Sequence, residues 1–372
     1  MLNFEFHNPT RIVFGQGKVA DLARLVPQAA RVLVLYGGES ARRTGTLAEV
    51  RAALGERSVS ELGGIEPNPS YETLMRAGAQ VRAENIDYLL AVGGGSFDGE
   101  PWDILLQRGR NVQRALPLAS VLTLPATGSE MNNGGVVTRK ATQAKLSFSS
   151  AHCFPQFSVL DPTKTYTLPR EQIANGLVDA YVHIMEQYLT YPVQARPQDR
   201  FAEGLLQTLV EIAPGALAEP PDYDHRANLM WTATLALNGL IGAGVPQDWA
   251  THMIGHELTA LYGIDHARTL AIVLPSLMQS QRAAKRDKLL QYAERVWHVS
   301  GGTEDERIDA AITHTRAFFE SVGIPTRLSA YGLGREAVDA VVAQLTAHGM
   351  LKLGEHRAIT PEVSRAILEA AL

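Results

Sequence analysis

The chain has 372 residues, 45% of them apolar and 20% charged, with a formal net charge of −5 and a single cysteine, Cys153. At roughly 150 residues per domain, this length predicts two domains or three. The composition excludes wholesale disorder, the acidic balance leaves no basic footprint for nucleic acid, and one cysteine cannot form an intrachain disulfide. The longest apolar stretches, such as Leu270 to Leu274, fall well short of the roughly 18 residues of a membrane helix. Met1-Leu-Asn-Phe-Glu lacks the basic and apolar regions of a secretory signal. The expectation is a soluble cytoplasmic protein with no membrane and no nucleic-acid partner.

In chain order, Arg31-Val-Leu-Val-Leu-Tyr36 is a compact buried-strand run that stops at Gly37-Gly38. Ser40 to Leu54 has the pattern of one helix, Ser58 to Leu62 that of a weaker strand, and Tyr71 to Glu84 that of a second helix. Asp87 to Val92 is a strong strand running into Gly93-Gly94-Gly95-Ser96, and Leu118 to Thr123 is a third, ending at Pro125 and Thr127-Gly128-Ser129. Continuous apolar strands spaced by helices predict a parallel sheet covered on both faces. After Asp161-Pro162 the apolar period becomes three to four. It predicts helices over 170–190, 198–212, 224–242, 246–262, 269–282, 284–298, 304–321, 333–346 and 360–371, with prolines between them or at their starts. The expected organisation is an α/β domain over 1–165 and an all-helical domain over 166–372.

Three strands thus end in glycine-rich or hydroxyl-rich turns. In an open parallel sheet, ligands bind at the carboxyl ends of the strands, where backbone N–H groups attract phosphate. Gly93-Gly94-Gly95-Ser96 lets the backbone approach an anion closely, although it is neither G-x-G-x-x-G nor a Walker A sequence. A bare βα turn is the other reading. Thr123-Leu-Pro-Ala-Thr127-Gly-Ser129-Glu offers hydroxyls at a neighbouring strand end, or simply a capped helix start. Together the two turns favour a nucleotide or dinucleotide site.

The helical half carries Asp179-Ala-Tyr-Val-His183, whose i and i+4 positions share one helix face. Alone this is weak evidence for a metal site, since a surface ion pair accounts for most instances of the spacing. Further on, Val245-Pro-Gln-Asp-Trp-Ala-Thr-His252-Met-Ile-Gly-His256-Glu257 and then His266 place three of the 11 histidines in one stretch. One carboxylate and up to three imidazoles could bind a borderline divalent ion such as Fe(II) or Zn. His256-Glu257 invites comparison with the H-E-x-x-H metalloproteases, but Ala260 stands where the second histidine is required.

These residues resemble the iron-containing (group III) alcohol dehydrogenases, in the branch of butanol dehydrogenases and NADPH-dependent aldehyde reductases. The resemblance runs nearly end to end: Asn8-Pro-Thr-Arg-Ile-Val-Phe-Gly15, Gly63-Gly-Ile-Glu-Pro-Asn-Pro69, Gly93-Gly-Gly-Ser96, Thr127-Gly-Ser-Glu130, Asp161-Pro162, Asn175-Gly-Leu-Val-Asp-Ala180, Gly244-Val-Pro-Gln-Asp-Trp-Ala-Thr-His252 and Asp265-His266. It implies a dehydroquinate synthase-like fold, with an N-terminal dinucleotide-binding domain and a C-terminal metal-binding domain. It implies one divalent metal, Fe or Zn, held by Asp179, His183, His252 and His266 in the cleft, and His256 nearby as a polar or proton-relaying residue. It also implies a cofactor with its pyrophosphate at Gly94, Gly95 and Ser96, Thr123 and Thr127 near the phosphates and nicotinamide ribose, Lys145 reaching the ribose and Leu168 packing near the nicotinamide. A homodimer is expected on the same ground.

The chemistry so implied is hydride transfer between a nicotinamide and a small aliphatic aldehyde or primary alcohol, with the metal polarising the carbonyl. His256 is the candidate for the proton path. Cofactor choice is read after Tyr36, where an acidic residue favours NAD and small or basic residues accommodate a 2′-phosphate. Gly37, Gly38 and Ser40 resemble the NADP-using branch, Glu39 departs from it, and Arg42 and Arg43 follow; the expectation is NADP, with NAD the alternative.

Two other readings compete: a glycerol dehydrogenase or 3-dehydroquinate synthase relative of the same fold, and a binding homologue that has lost catalysis. The Gly244–His252 run argues against the first and the complete ligand set against the second. One departure bears on the second. Returning to a parallel neighbour takes a crossover of at least roughly 10–12 residues, yet Ser96 is followed by the loop-like Phe97-Asp-Gly-Glu-Pro-Trp102, and the family's helix with its Asp and Lys is missing. Either a helix is deleted, which should cripple cofactor binding, or a segment is closed over between residues 96 and 97. The second is expected, and would show as a Cα–Cα distance well above about 3.8 Å.

Overall fold

A computed structural model describes residues 1–66, 69–93, 113–139, 141 and 144–372. Gly94, Gly95, Ser96 and the join between residues 96 and 97 lie outside the described residues. The chain divides into two units, one of His7–Pro169 with Pro221–Thr234, the other of Met1–Phe6, Arg170–Pro220 and Leu235–Leu372.

The first unit carries eight described strands: β1 (Arg11–Phe14), β2 (Arg31–Tyr36), β3 (Ser58–Leu62), β4 (Tyr88–Gly93), β5 (Leu118–Leu122), β6 (Gly134–Arg139), β7 (Ala144–Ser149) and β8 (Phe157–Leu160). Six form one all-parallel sheet in the order β1-β8-β5-β4-β2-β3; β6 and β7 pair as an antiparallel hairpin. Both faces are covered, which is why the strands read as unbroken apolar runs rather than alternating ones. Val32, Val34 and Tyr36 join Leu90, Val92 and Val121 on one face, beneath Val50 and Leu54. Leu33, Leu35 and Ala91 look the other way, toward Leu74, Ala77 and Phe148. Each fully buried Val or Leu contributes about 1.5–3 kcal/mol.

Four short helices are described here: α1 (Leu22–Leu25), α2 (Ser40–Arg43), α3 (Thr46–Leu54) and α4 (Tyr71–Ala83). The single helix expected over Ser40–Leu54 is therefore two. Gly45, at φ +82°, sits between them in a left-handed conformation that interrupts the helix. Sequence periodicity also missed β1, β8 and the hairpin. β1 and β8 are four residues each, and β6 opens on two glycines and ends on Thr138-Arg139, so none shows a long apolar run.

Strand order reverses between β2 and β4, because the chain leaves β2 for the edge strand β3 and returns on the other side. The carboxyl ends of the strands beside such a switch point form the crevice where ligands bind. The registers Tyr36↔Val92 and Gly93↔Leu122 bring Gly37, Gly93 and Thr123 to one rim, and Thr123 N–H donates to the Gly93 carbonyl at 3.0 Å.

The helices α5 (Arg170–Tyr188), α6 (Arg196–Ala216), α7 (Tyr223–Ala236), α8 (Ala250–Tyr262), α9 (His266–Ser280), α10 (Arg286–Arg295), α11 (Glu304–Ser321), α12 (Arg335–Ala347) and α13 (Pro361–Glu369) follow the nine periodic segments. All but most of α7 belong to the second unit. Every residue of α5 from Ile173 to Tyr188 is buried, the mark of a helix enclosed on all sides; it packs against α6 and α9. Two of the boundaries that differ from the expected ones have a visible local cause. The helix expected to reach 242 stops at Ala236, before Asn238 and the left-handed Gly239. The one expected from 246 starts at Ala250, because Trp249 is itself left-handed at φ +63° and Asp248 Oδ1 accepts the Ala250 N–H at 2.8 Å. Among the described residues no helix is long and apolar enough to cross a membrane.

Candidate metal centre and nucleotide rim

Asp179 and His183 lie one turn apart on the enclosed helix α5, so both are held inside the second unit. Asp179 Oδ1 is 3.7 Å from His183 Nε2, 4.0 Å from His252 Nε2 and 3.8 Å from His266 Nε2. Ligand atoms of Asp179, His183 and His252 all lie within 4.8 Å of one another. The His183 and His252 rings stack at 4.7 Å, and the His252 and His266 rings are 5.1 Å apart.

These separations are too long for hydrogen bonds. Asp179 Oδ1 and His183 Nδ1 are buried and have no hydrogen-bond partner among the described residues, an arrangement that costs free energy unless a further group satisfies it. Four N and O ligands at about 2.0–2.2 Å from a tetrahedral ion stand about 3.3–3.6 Å apart. The observed spacings are a few tenths of an ångström wider, and three imidazoles with one carboxylate form a donor set suited to Zn or Fe(II). The residues present fit a divalent ion.

The supporting residues fix the rings. Glu186, one further turn along α5, pairs through Oε2 with His252 Nδ1, while its Oε1 accepts the backbone N–H of Thr251 at 2.6 Å and of His252 at 3.4 Å. That pairing turns His252 Nε2 toward Asp179, as carboxylate–histidine pairs do around metals. Asn175 Nδ2 donates to Asp265 Oδ2 at 3.1 Å, tying α5 to the residue just before His266. Burial, with His252 adding to it, lowers the His183 pKa to about 4 against the opposing pull of Asp179. At neutral pH the imidazole is therefore uncharged, the form that ligates a metal. Burial first, and the nearby Asp248 carboxylate second, push Glu186 well above the usual carboxylate range.

His256, one turn beyond His252 on α8, is buried with its ring 6.0 Å from that of His252 and 5.0 Å from that of His266. Sequence reasoning missed Glu186 and Trp249. The indole of Trp249 lies edge-on to the rings of His183 at 6.2 Å and His252 at 5.3 Å. Glu186 had a readable signal: Asp179, His183 and Glu186 are spaced i, i+4, i+7, the period of one helix face.

The nucleotide candidates of the first unit are less uniform. Gly38 and Ser40 are exposed and Gly37 is half-buried. Among the described residues a Cβ at Gly38 or Gly93 would meet nothing within 4 Å, whereas one at Gly37 would stand 3.4 Å from the Ile65 carbonyl oxygen. Thr127 Oγ1 accepts the Ser129 N–H at 3.4 Å, and Lys145 is buried on β7 opposite Thr138. Leu168 is half-buried in the turn before α5. Glu39 is 75% exposed at its side chain, and Arg42 turns back onto Tyr36 Oη and Glu61. Asp161 has a structural explanation: Oδ2 accepts the Gly17 N–H at 2.8 Å and Oδ1 that of Thr163 at 3.0 Å.

A parallel sheet with a switch point and a helical unit holding one carboxylate among three imidazoles define a class that pairs a nucleotide-binding sheet with a divalent-metal centre. Comparison with known proteins narrows the class. Residues 9–162 match the model of the iron-containing alcohol dehydrogenases, and 173–372 that of the C-terminal part of the Fe-containing alcohol dehydrogenase family. The chain is 58% identical to the NADPH-dependent aldehyde reductase YqhD of Escherichia coli and 38% identical to a probable NADH-dependent butanol dehydrogenase of Bacillus subtilis, with 100% of each chain covered in both cases. The crystal structure of E. coli YqhD superposes with a TM-score of 0.98 at 57% identity, over 100% of this chain and 99% of that one. The chain belongs to the iron-containing alcohol dehydrogenase family. The alignment with YqhD spans 386 positions, 14 more than the 372 residues here, so at least that many positions of the relative have no counterpart in this chain.

Proposed function

We propose that this protein is a metal-dependent, NADPH-linked aldehyde reductase and alcohol dehydrogenase that interconverts small aliphatic aldehydes and primary alcohols. The observation that carries the reading is the buried, unpartnered Asp179 Oδ1 with three imidazole Nε2 atoms 3.7–4.0 Å from it. The 58% identity to an aldehyde reductase supplies the substrate class.

Asp179, His183, His252 and His266 are the residues that would hold the ion. When bound, a divalent metal supplies Lewis-acid polarisation of a carbonyl oxygen and stabilises the alkoxide charge of the alcohol. Glu186 orients His252, and the neutral His183 presents a lone pair without first losing a proton. Trp249, edge-on to two of the rings, limits their rotation. His256 is the residue assigned to the proton path, one helical turn from His252. Gly37, Gly38, Ser40, Thr123, Thr127, Lys145 and Leu168, with Gly94, Gly95 and Ser96, are assigned to the dinucleotide.

NADPH is preferred to NADH in this reading, supported by the YqhD identity and by Gly37-Gly38 followed by Ser40 after β2. It takes the protein to be a cytoplasmic homodimer. Met1, Leu2, Phe4 and Phe6 are each 44–54% exposed, an apolar run that a second copy would cover. The test is oxidation of NADPH, and separately of NADH, by butanal before and after chelation. Chelator-sensitive turnover with a higher kcat/KM for NADPH is expected. Turnover unaffected by exhaustive chelation would overturn the metal role, and a higher kcat/KM for NADH would overturn the cofactor preference.

A further inference from the structure

Lys285 lies outside the site described above, immediately before α10, and its side chain is 3% exposed. A buried ammonium is tolerated only when its charge is paired and its three N–H donors are used. Here Nζ reaches three different segments at 2.7 Å each: the Leu189 carbonyl just past the end of α5, Asp248 Oδ2 in the turn before α8, and Glu355 Oε1 in the loop closed by the Leu353–Ile359 bridge. Two of those segments carry the centre. Helix α5 holds Asp179 and His183, and the turn at Asp248 leads directly into His252.

The Asp248 carboxylate is used on both sides. Oδ2 faces Lys285, and Oδ1 accepts the Ala250 N–H that starts α8. The Asp248 N–H in turn donates to the Glu186 carbonyl at 2.9 Å, while the Glu186 carboxylate grips Thr251 and His252. The turn that delivers His252 is thus clamped at both ends to α5. The left-handed Trp249 lies between the clamps, and such a conformation persists only where its surroundings hold it.

We infer that Lys285 is a positioning residue for the metal centre: its ammonium sets the spacing between the Asp179–His183 helix and the turn bearing His252. The inference rests on the proposed metal site. It differs from a merely stabilising role because Lys288, equally buried in the first turn of α10, bonds Asp199 at 2.6 Å and stacks on Tyr188 at the end of α5, and so touches α5 but, among the described residues, does not join it to the turn at Asp248.

The test compares Lys285→Met and Lys288→Met in the full-length protein, stripped of metal and titrated with Zn(II) against a chromophoric chelator, then with Co(II) to record its visible bands. Supporting residues around a metal site are worth about 10–100-fold in affinity. Lys285→Met is expected to weaken Zn(II) binding by about that factor and to alter the Co(II) spectrum, with Lys288→Met binding like wild type. Wild-type affinity and an unchanged spectrum in Lys285→Met overturn the inference, as does equal weakening in Lys288→Met. If Lys285→Met does not fold, Asp248→Asn, isosteric and still able to accept the Ala250 N–H, is expected to show the same loss; undiminished affinity there overturns the inference. Failure of the wild-type protein to bind either ion overturns the metal reading itself and is distinguishable from every other outcome.

Discussion

Asp179 Oδ1 and His183 Nε2 face each other at 3.7 Å on one turn of a fully enclosed helix, and that oxygen has no hydrogen-bond partner. Two polar side chains placed so close in the core without bonding to each other destabilise the fold unless a third group joins them. His183→Ala should therefore abolish butanal reduction while leaving the metal-free protein folded, since it removes a ligand and relieves an unmet donor set. Circular dichroism and turnover in metal-supplemented buffer check both halves. Retained activity would sink the metal assignment.

Glu186 governs His252 in a way that a neutral amide cannot reproduce. As the carboxylate that a cation bound nearby would favour, Glu186 accepts the Nδ1–H hydrogen bond and leaves Nε2 with a lone pair toward Asp179. In Glu186→Gln the amide N–H₂ can face Nδ1, which moves the ring proton to Nε2. Zn(II) affinity should fall by about 10–100-fold, and isothermal titration measures it. Glu186→Gln binding Zn(II) as tightly as wild type would show that the tautomer is set elsewhere.

What the sequence made legible follows from where each contact originates. Asp179 and His183 are four residues apart, so helical geometry alone joins them, and Glu186 extends that face by three. His266 is different. From spacing, His256 is the natural companion of His252, being its i+4 neighbour, yet the geometry brings His266 Nε2 to 3.8 Å of Asp179 because α9 starts there and Asn175 fastens Asp265 to α5. Lys285 and Glu355 carry no local signal. Their partners Leu189 and Asp248 are distant in the chain, and only tertiary packing assembles them. The parallel sheet was readable wherever strands were long and doubly buried, and unreadable at four-residue β1 and β8.

Glu130 of the Thr127-Gly-Ser-Glu130 turn is buried, with Oε1 bonded to Thr234 Oγ1 and Oε2 without a partner. Burial raises its pKa, against the lesser opposing effects of Thr234 and the Glu130 backbone. A raised carboxyl means that the folded state holds its proton more tightly than the unfolded chain does. Stability is therefore full below the unfolded value of 4.5, declines as pH rises through it, and stops declining above the folded pKa. Glu130→Gln has no such proton. Its melting temperature should rise relative to wild type as pH is raised from 4 to 7, whatever its absolute value. A difference independent of pH would show that Glu130 titrates alike in both states.

Gly255 places the two histidine-bearing helices in contact. It lies on α8 between His252 and His256, and a Cβ added there would stand 2.9 Å from Thr269 Oγ1 and 3.1 Å from Leu270 Cδ2 on α9. Thr269 Oγ1 is not free to retreat at no cost, since it donates to the His266 carbonyl at 2.7 Å. Gly255→Ala should thus push on the first turn of α9, where His266 stands, and lower stability by about 1–3 kcal/mol as overpacking does, outweighing the gain of under about 1 kcal/mol from replacing a helical glycine. Zn(II) affinity should fall with it, because the displaced residue neighbours a ligand. Removing the obstructing hydroxyl in Gly255→Ala/Thr269→Ala should recover part of both losses, giving a favourable coupling in a double-mutant cycle. Additive losses in the double variant would show that the helices do not meet at Gly255 and Thr269.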